Sequence, residues 1–244
     1  MRNAQRTNQA ERKPKMQIAR ATNETCGDAT DTVVVIDVLR AFTTAAFAFA
    51  GGASEIVLVS GVDEALALRE RFPGSYVMGE VGGLPVAGFD FSNSPGDLLG
   101  RDFAGARFIQ RTSAGTQGVV RSQRADTLLA SSFVVASATA RYLRHHAPAC
   151  ITYVVTGIYP DRDGDEDAAC AEYQAALLQG EAPDPAPYLQ RVRDSVPGRI
   201  FADPAQPEFP AIDLDYATNL DRFDFAMLVE RRDGLLVMRA VSAA

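Results

Sequence analysis

The chain has 244 residues, 47% of them apolar and 23% charged, with a formal net charge of −7. That length suits one large α/β domain or two small ones packed together, and the acidic balance argues against nucleic acid as the main partner. No apolar run approaches the roughly 18 residues a membrane span needs, and the polar N-terminal stretch has no apolar segment of the secretory kind, so a cytoplasmic protein is expected.

Residues 1–31 read as a disordered, solvated tail carrying Arg2, Arg6, Arg12, Lys13 and Lys15, and residues 32–244 as the folded domain. Val33–Ile36 is a β-branched run that ends in Asp37, as a buried parallel strand would. Ala41–Ala50 reads as a helix closed by Gly51 and Gly52. A strand at Ile56–Val59, a helix at Asp63–Phe72 and a strand at Tyr76–Met78 follow, and the last delivers Glu80 into a glycine-rich loop. Ala106–Gln110 is the next strand, leading through Arg111–Thr116 into a helix that ends at Arg121. Then come a strand at Thr127–Ala130, a helix at Val134–His146, a strand at Ile151–Val155, a turn-rich loop at Gly157–Gly164 and a helix at Glu166–Leu178. The proline- and acid-rich stretch 180–210 holds one helix near Pro187–Asp194, and Asp215–Phe223 looks helical. Phe225–Glu230 and Leu235–Ala240 flank a turn and read as a closing hairpin. Alternating strands and helices imply a three-layer α/β/α domain around a largely parallel sheet, made mixed by that hairpin. The strand ends after Ile36, Met78, Gln110 and Val155 are expected to converge on a ligand crevice.

Composition also removes several chemistries. The only lysines, Lys13 and Lys15, lie in the tail, so the domain has no lysine for a Schiff base or a phosphate clamp. His145 and His146 read as an exposed pair at a helix end, where cations suit the dipole. Cys26, Cys150 and Cys170 are odd in number and far apart, as reduced thiols in a cytoplasm would be. No cysteine has an arginine six residues on, no Arg-His-Gly triplet offers a phosphohistidine, and no Gly-x-Ser-x-Gly elbow is present. For a phosphate hydrolase, metal-activated water is what remains.

Four places could carry chemistry. Gly79–Pro95 surrounds Glu80, Asp90, Asn93 and Ser94 with glycines and prolines; it reads either as an anion and cation site or as a structural loop. Asp37 at a strand end can bind a hard cation or cap a helix, Arg40 can fork onto an oxyanion, and Thr43 and Thr44 fall on the first helical turn, where N–H groups are free. Arg111, Thr112, Ser113, Gly115 and Thr116 form a second anion cradle or an ordinary helix start. Asp161–Asp167 has calcium-loop offsets, but Glu166 stands where the sharp turn needs glycine. It reads as an acidic helix start or as part of a magnesium site.

In this order, residues 35–50, 79–95, 111–116, 132–143 and 166–171 resemble the 2-phosphosulfolactate phosphatase (ComB-like) family, and 215–239 is similar too. The resemblance implies a three-layer α/β/α fold and Mg²⁺-dependent hydrolysis of a phosphomonoester on a sulfonated C3 acid, as in coenzyme M biosynthesis. The family motifs fall on Asp37, Arg40, Glu80, Gly82, Gly83, Asp90, Asn93, Ser94, Thr112, Ser113, Gly115, Glu166 and Asp167. The expected assignment gives Mg²⁺ to Asp37 and Glu80 with Glu166 and Asp167, the anionic substrate to Arg40, Arg111 and the 112–115 turn, and a proton to Asp90. Val81, Ala114, Val135 and Glu172 depart from the usual pattern. They leave two alternatives beside that substrate, another phosphorylated hydroxy acid or a non-catalytic anion binder. The oligomeric state is open, a homodimer included.

Overall fold

A computed structural model describes residues 16–243, so residues 1–15 of the tail, including Lys13 and Lys15, lie outside the described residues. The strands are β1 (Gln17–Thr22), β2 (Thr32–Ile36), β3 (Glu55–Val59), β4 (Tyr76–Gly79), β5 (Arg107–Arg111), β6 (Thr127–Ser131), β7 (Cys150–Val155), β8 (Ile158–Tyr159), β9 (Arg162–Asp163), β10 (Ala226–Arg232) and β11 (Leu235–Val241). The helices are α1 (Ala41–Ala50), α2 (Val62–Arg71), α3 (Pro95–Leu98), α4 (Gly115–Arg121), α5 (Ala136–His146), α6 (Asp165–Leu178), α7 (Ala186–Asp194), α8 (Val196–Ala202) and α9 (Ala211–Ala217). Nine strands form one sheet in the order β1-β7-β2-β6-β10-β11-β3-β5-β4. The fold is three-layered α/β.

The binary pattern accounts for the layers. Every residue of β2 is buried. Val33 and Val35 pack into one core with α1 and α4, while Val34 and Ile36 pack into a second core with α5 and α6. A strand covered on both faces loses the polar alternation of a half-exposed one. α1 is buried at nine of its ten positions, which explains its alanine and phenylalanine content.

The closing hairpin is not peripheral. β10 and β11 are antiparallel to each other, to β6 and to β3, so they separate a parallel block β1-β7-β2-β6 from a second parallel block β3-β5-β4. Three successive antiparallel pairings make the two blocks run in opposite senses. Five interstrand steps lie between β2 and β5, and at roughly 20–25° of twist each they turn β5 by roughly 100–125°. Strand ends from both blocks nevertheless meet: the Gln110 side chain on β5 donates to the Ala41 carbonyl after β2 at 2.9 Å.

Several expectations need correction. The tail does not extend to residue 31: Gln17–Thr22 pairs in parallel with β7 as an edge strand, and Cys26–Asp28 is a short 3₁₀ turn against α4. An edge strand buries little, so QIARAT shows no apolar run to read. The stretch 180–210 holds two helices rather than one, and the helix expected at Asp215–Phe223 lies earlier, at Ala211–Ala217. The turn-rich loop after β7 contains the hairpin β8–β9.

Away from the site, Glu55 on β3 ties neighbouring strands together. It accepts hydrogen bonds from Arg239 (2.6 Å) and Arg107 (2.7 Å), with Arg232 at 3.7 Å. Burial works to raise its pKa, but the hydrogen bonds from Arg239 and Arg107 outweigh it and hold the carboxyl below the usual range. A depressed folded-state pKa stabilises above the unfolded value, near 4.3, and that stability disappears as pH falls through the folded value. Glu55→Gln should therefore melt lower than the wild type at pH 7, with the gap closing as pH drops below about 4. A pH-independent gap in thermal melts would sink this account.

Candidate active site

The elements that meet at the crevice each turn sharply, for local reasons. After β2, Asp37 Oδ1 accepts the Ala41 N–H (2.9 Å) and so satisfies a first-turn donor of α1. After β4, Gly79 adopts φ +141°, and a Cβ there would lie 1.8 Å from the Arg111 carbonyl oxygen, so only glycine lets the chain pass β5. After β5, Thr112 and Thr116 exchange hydroxyl and N–H hydrogen bonds of 2.8 and 3.0 Å across the start of α4. There Gly115 lies so close to Asp37 that a Cβ would meet Asp37 Oδ2 at 2.8 Å. Before α6, Gly164 turns the chain with φ +66°, and Glu166 and Asp167 occupy the first helical turn, where the dipole favours carboxylates.

These turns enclose a cavity of about 330 Å³. Asp37, Glu80 and the adjacent pair Glu166 and Asp167 line it from three separate segments, together with Arg40, Gly82, Gly83, Asn93 and Ser113. All four carboxylates are buried. Burial, with the nearby charge of Glu80, pushes Asp37 up to about 6 against the N–H groups of Ala41 and Gly115. Burial and repulsion from Asp37 push Glu166 up to about 7. Burial and the charges of Glu166 and Asp37 also raise Asp167.

Hydrogen bonding divides these acids by task. Glu80 accepts the N–H groups of Ser113 and Gly83 and the Ser113 hydroxyl, so it stitches the glycine loop to the start of α4. Asp167 accepts from Val38 N (2.8 Å), Thr156 N (3.1 Å), Thr156 Oγ1 (3.1 Å) and Gly157 N (2.8 Å), which joins α6 to the ends of β2 and β7. Glu166 Oε2 is buried with no partner among the described residues, and so is Asn93 Oδ1. Asp37 and Glu166 are the acids with oxygens to spare. Among the described residues, no group of three or more acidic, histidine or cysteine side chains is gathered closely enough to enclose a metal ion. The fit is with a hard cation held by one or two carboxylates and completed by water, the usual manner of magnesium. A cage of all four acids does not fit.

Arg40 is set by tertiary contacts. Its Nη1 donates to Asp213 (2.9 Å) and its Nη2 to the Gly83 carbonyl (3.1 Å), and its guanidinium lies 4.8 and 5.6 Å from the Phe201 and Phe209 ring centres. Asp213 also accepts from Ser94 Oγ and the Gly96 N–H. Ser94 thus stands behind Arg40, off the cavity wall.

Other expected contacts are corrected. The Thr43 and Thr44 hydroxyls are fully buried and donate to the carbonyls of Val38 and Asn93, anchoring α1 to the turns on either side. Thr112 serves α4, as above, and does not line the cavity. Arg111 spends Nε on Ser60 O and Nη1 on Glu80 O and Ser113 Oγ, so it buttresses the loop from outside the cavity. Asp90 accepts the Val77 N–H (2.7 Å) on the edge strand β4 and faces Arg69, away from the cavity. It caps its own loop and is not positioned to take a proton there.

Tyr159, Arg162, Phe201, Phe209 and Asp213 were not foreseen. The first four line the cavity. The only sequence signal was the density of aromatic and charged residues in stretches read as loops. Of the unusual positions, Glu172 is explained: it pairs with Arg20 (2.7 Å) and with Arg191, tying α6 to β1 and α7. Ala114 offers its carbonyl to Asn23 Nδ2 at 3.2 Å. Val81 is half exposed beside the loop and nothing in the structure explains it.

A family model described as 2-phosphosulpholactate phosphatase matches residues 18–196. A "Probable 2-phosphosulfolactate phosphatase" of Bacillus subtilis (strain 168) is 36% identical over 206 residues, 84% of this chain and 89% of that protein. Proteins of the same description are 39% identical over 152 residues in Deinococcus radiodurans, 60% of this chain and 63% of that one, and 44% identical over 111 residues in Carboxydothermus hydrogenoformans, 46% of each.

Proposed function

Because the chain belongs to the 2-phosphosulfolactate phosphatase family, we propose that it hydrolyses 2-phosphosulfolactate to sulfolactate and phosphate with the aid of Mg²⁺. The observation that carries this reading is that four buried carboxylates and Arg40 line one cavity, an arrangement whose like-charge repulsion a divalent cation would relieve. Asp37 and Glu166 would hold the magnesium. When bound, it supplies positive charge against the negative charge that builds on the phosphoryl oxygens.

The chain's own residues do the rest. Arg40, fixed by Asp213 and the two phenylalanine rings, presents the remainder of its guanidinium to an anionic oxygen of the substrate. Asn93 Oδ1 is an unengaged acceptor for a substrate hydroxyl or a water. Glu80 and Asp167, saturated by N–H donors, hold their loops rigid so that the reacting groups need little reorganisation. Leu39, Ile200, Phe201 and Phe209 form an apolar wall that limits water in the cavity. That wall also supports a second reading, a phosphorylated hydroxy acid with an apolar substituent in place of the sulfonate.

The test is phosphate release from 2-phosphosulfolactate, 2-phospholactate and 3-phosphoglycerate, with and without chelator. We expect the highest kcat/KM on the sulfonated ester, and activity lost on chelation and restored by Mg²⁺. Undiminished turnover after chelation would remove the metal from this account, and a preference for phospholactate would favour the second reading.

A further inference from the structure

The hairpin β8–β9 stands over the cavity and carries Arg162 on its return strand. Its base lies against Glu166, since a Cβ on Gly157 would fall 2.4 Å from Glu166 Oε1. It is anchored by the Tyr159 hydroxyl, which donates to the Ser113 carbonyl at 3.1 Å. The Arg162 guanidinium lies 4.8 Å from the Tyr159 ring centre.

Among the described residues three arginines belong to this neighbourhood, and only one of them is uncommitted. Arg40 is bonded to Asp213 and Gly83, and Arg111 is bonded to three oxygens and lies off the wall. Arg162 lines the cavity, yet its Nε is buried with no partner among the described residues. Among the described residues its sole ion pair is with Asp161 at 3.8 Å, too long for a hydrogen bond, and Asp161 is 75% exposed. An arginine held at a cavity wall with open donors is built for an oxyanion. The site already has a carboxylate beside it with a free oxygen, Glu166, and the substrate group drawn to that carboxylate through a cation is the phosphoryl.

We propose that Arg162 binds the phosphoryl oxygens of the substrate and stabilises the charge that develops on them during transfer to water. This rests on the phosphatase reading above. In the reaction, water adds to phosphorus, the bond between phosphorus and the ester oxygen breaks, and the alcohol departs with a proton. Arg162 keeps all of its protons and acts through charge and hydrogen bonds alone.

The experiment compares the wild type with Arg162→Gln and Arg162→Lys in the presence of Mg²⁺. Inorganic phosphate and sulfolactate binding are read by calorimetry, and kinetics on 2-phosphosulfolactate and 2-phospholactate. Arg162→Gln should bind phosphate at least about tenfold more weakly, bind sulfolactate within about twofold of wild type, and lose kcat/KM by a similar factor on both esters, on the order of 10²–10³. Arg162→Lys should retain part of each. Phosphate binding unchanged in Arg162→Gln, or absent in the wild type, would overturn the assignment. So would a loss confined to the sulfonated ester, which would give Arg162 to the sulfonate instead. The two readings fail separately. A wild type that binds phosphate through Arg162 but hydrolyses neither ester defeats the phosphatase reading and leaves Arg162 with phosphate binding only, whereas full activity in Arg162→Gln defeats the Arg162 assignment alone.

Discussion

Asp37→Asn is expected to lower phosphate release on the order of 10²–10³-fold while leaving the protein folded and, without metal, at least as resistant to heat as the wild type. Two opposed effects meet at this position. The carboxylate is fully enclosed and surrounded by Glu80, Glu166 and Asp167, so its charge is unfavourable in the metal-free protein, and burial already pushes its pKa to about 6. An amide of the same shape keeps the acceptor for the Ala41 N–H and removes one of the repelling charges. It cannot, however, replace an anionic ligand for a divalent ion. Activity should therefore fall while stability holds or rises, the pattern of a site whose groups are held in strained company for function. Kinetics paired with thermal melts in chelator checks both halves. Turnover within threefold of wild type, or a large drop in melting temperature, would remove Asp37 from the centre of the mechanism.

The second large effect lies behind the site. Asp213→Ala should destabilise the protein by about 3–5 kcal/mol, because it leaves the buried Arg40 charge without its partner. For a chain of this length that corresponds to a fall in melting temperature of roughly 10 °C. Asp213 is completely buried and Arg40 is 4% exposed, so water cannot take the partner's place. Activity should fall as well, since Arg40 loses the contact that aims it, and Ser94 and Gly96 lose their acceptor. The double variant Arg40→Met with Asp213→Leu separates the two roles. Apolar side chains of similar volume should recover most of the stability, while turnover stays low because no cation remains at that wall. If Asp213→Ala melts with the wild type, the pair is not the fastener described here.

Much of this was readable from residue order. The alternation of β-branched runs with alanine-rich stretches fixes a sheet covered on both faces, since each local pattern buries a defined face whatever else the chain does. The strands at Val33–Ile36 and Ile151–Val155 and the helix at Ala41–Ala50 lie where they were expected. Asp37, Glu80, Glu166 and Asp167 could be singled out because each stands at a strand end or a helix start, positions that face a crevice in this kind of fold. Edge strand β1 and helix α8 escaped because neither carries a long apolar run, and both depend on partners elsewhere.

Residue order by itself thus determined the layers, the strand ends and the acidic character of the crevice. Tertiary structure alone decided which acids keep a free oxygen, which arginines line the cavity, and that Arg40 pairs with Asp213 across 173 residues. It also put the closing hairpin in the middle of the sheet, between two opposed blocks of strands that both supply residues to one site. The physical reason is range. Burial patterns are written within a few neighbouring residues, but a carboxylate or guanidinium is spent or left open by donors and acceptors from distant segments, and those meet only in the folded chain.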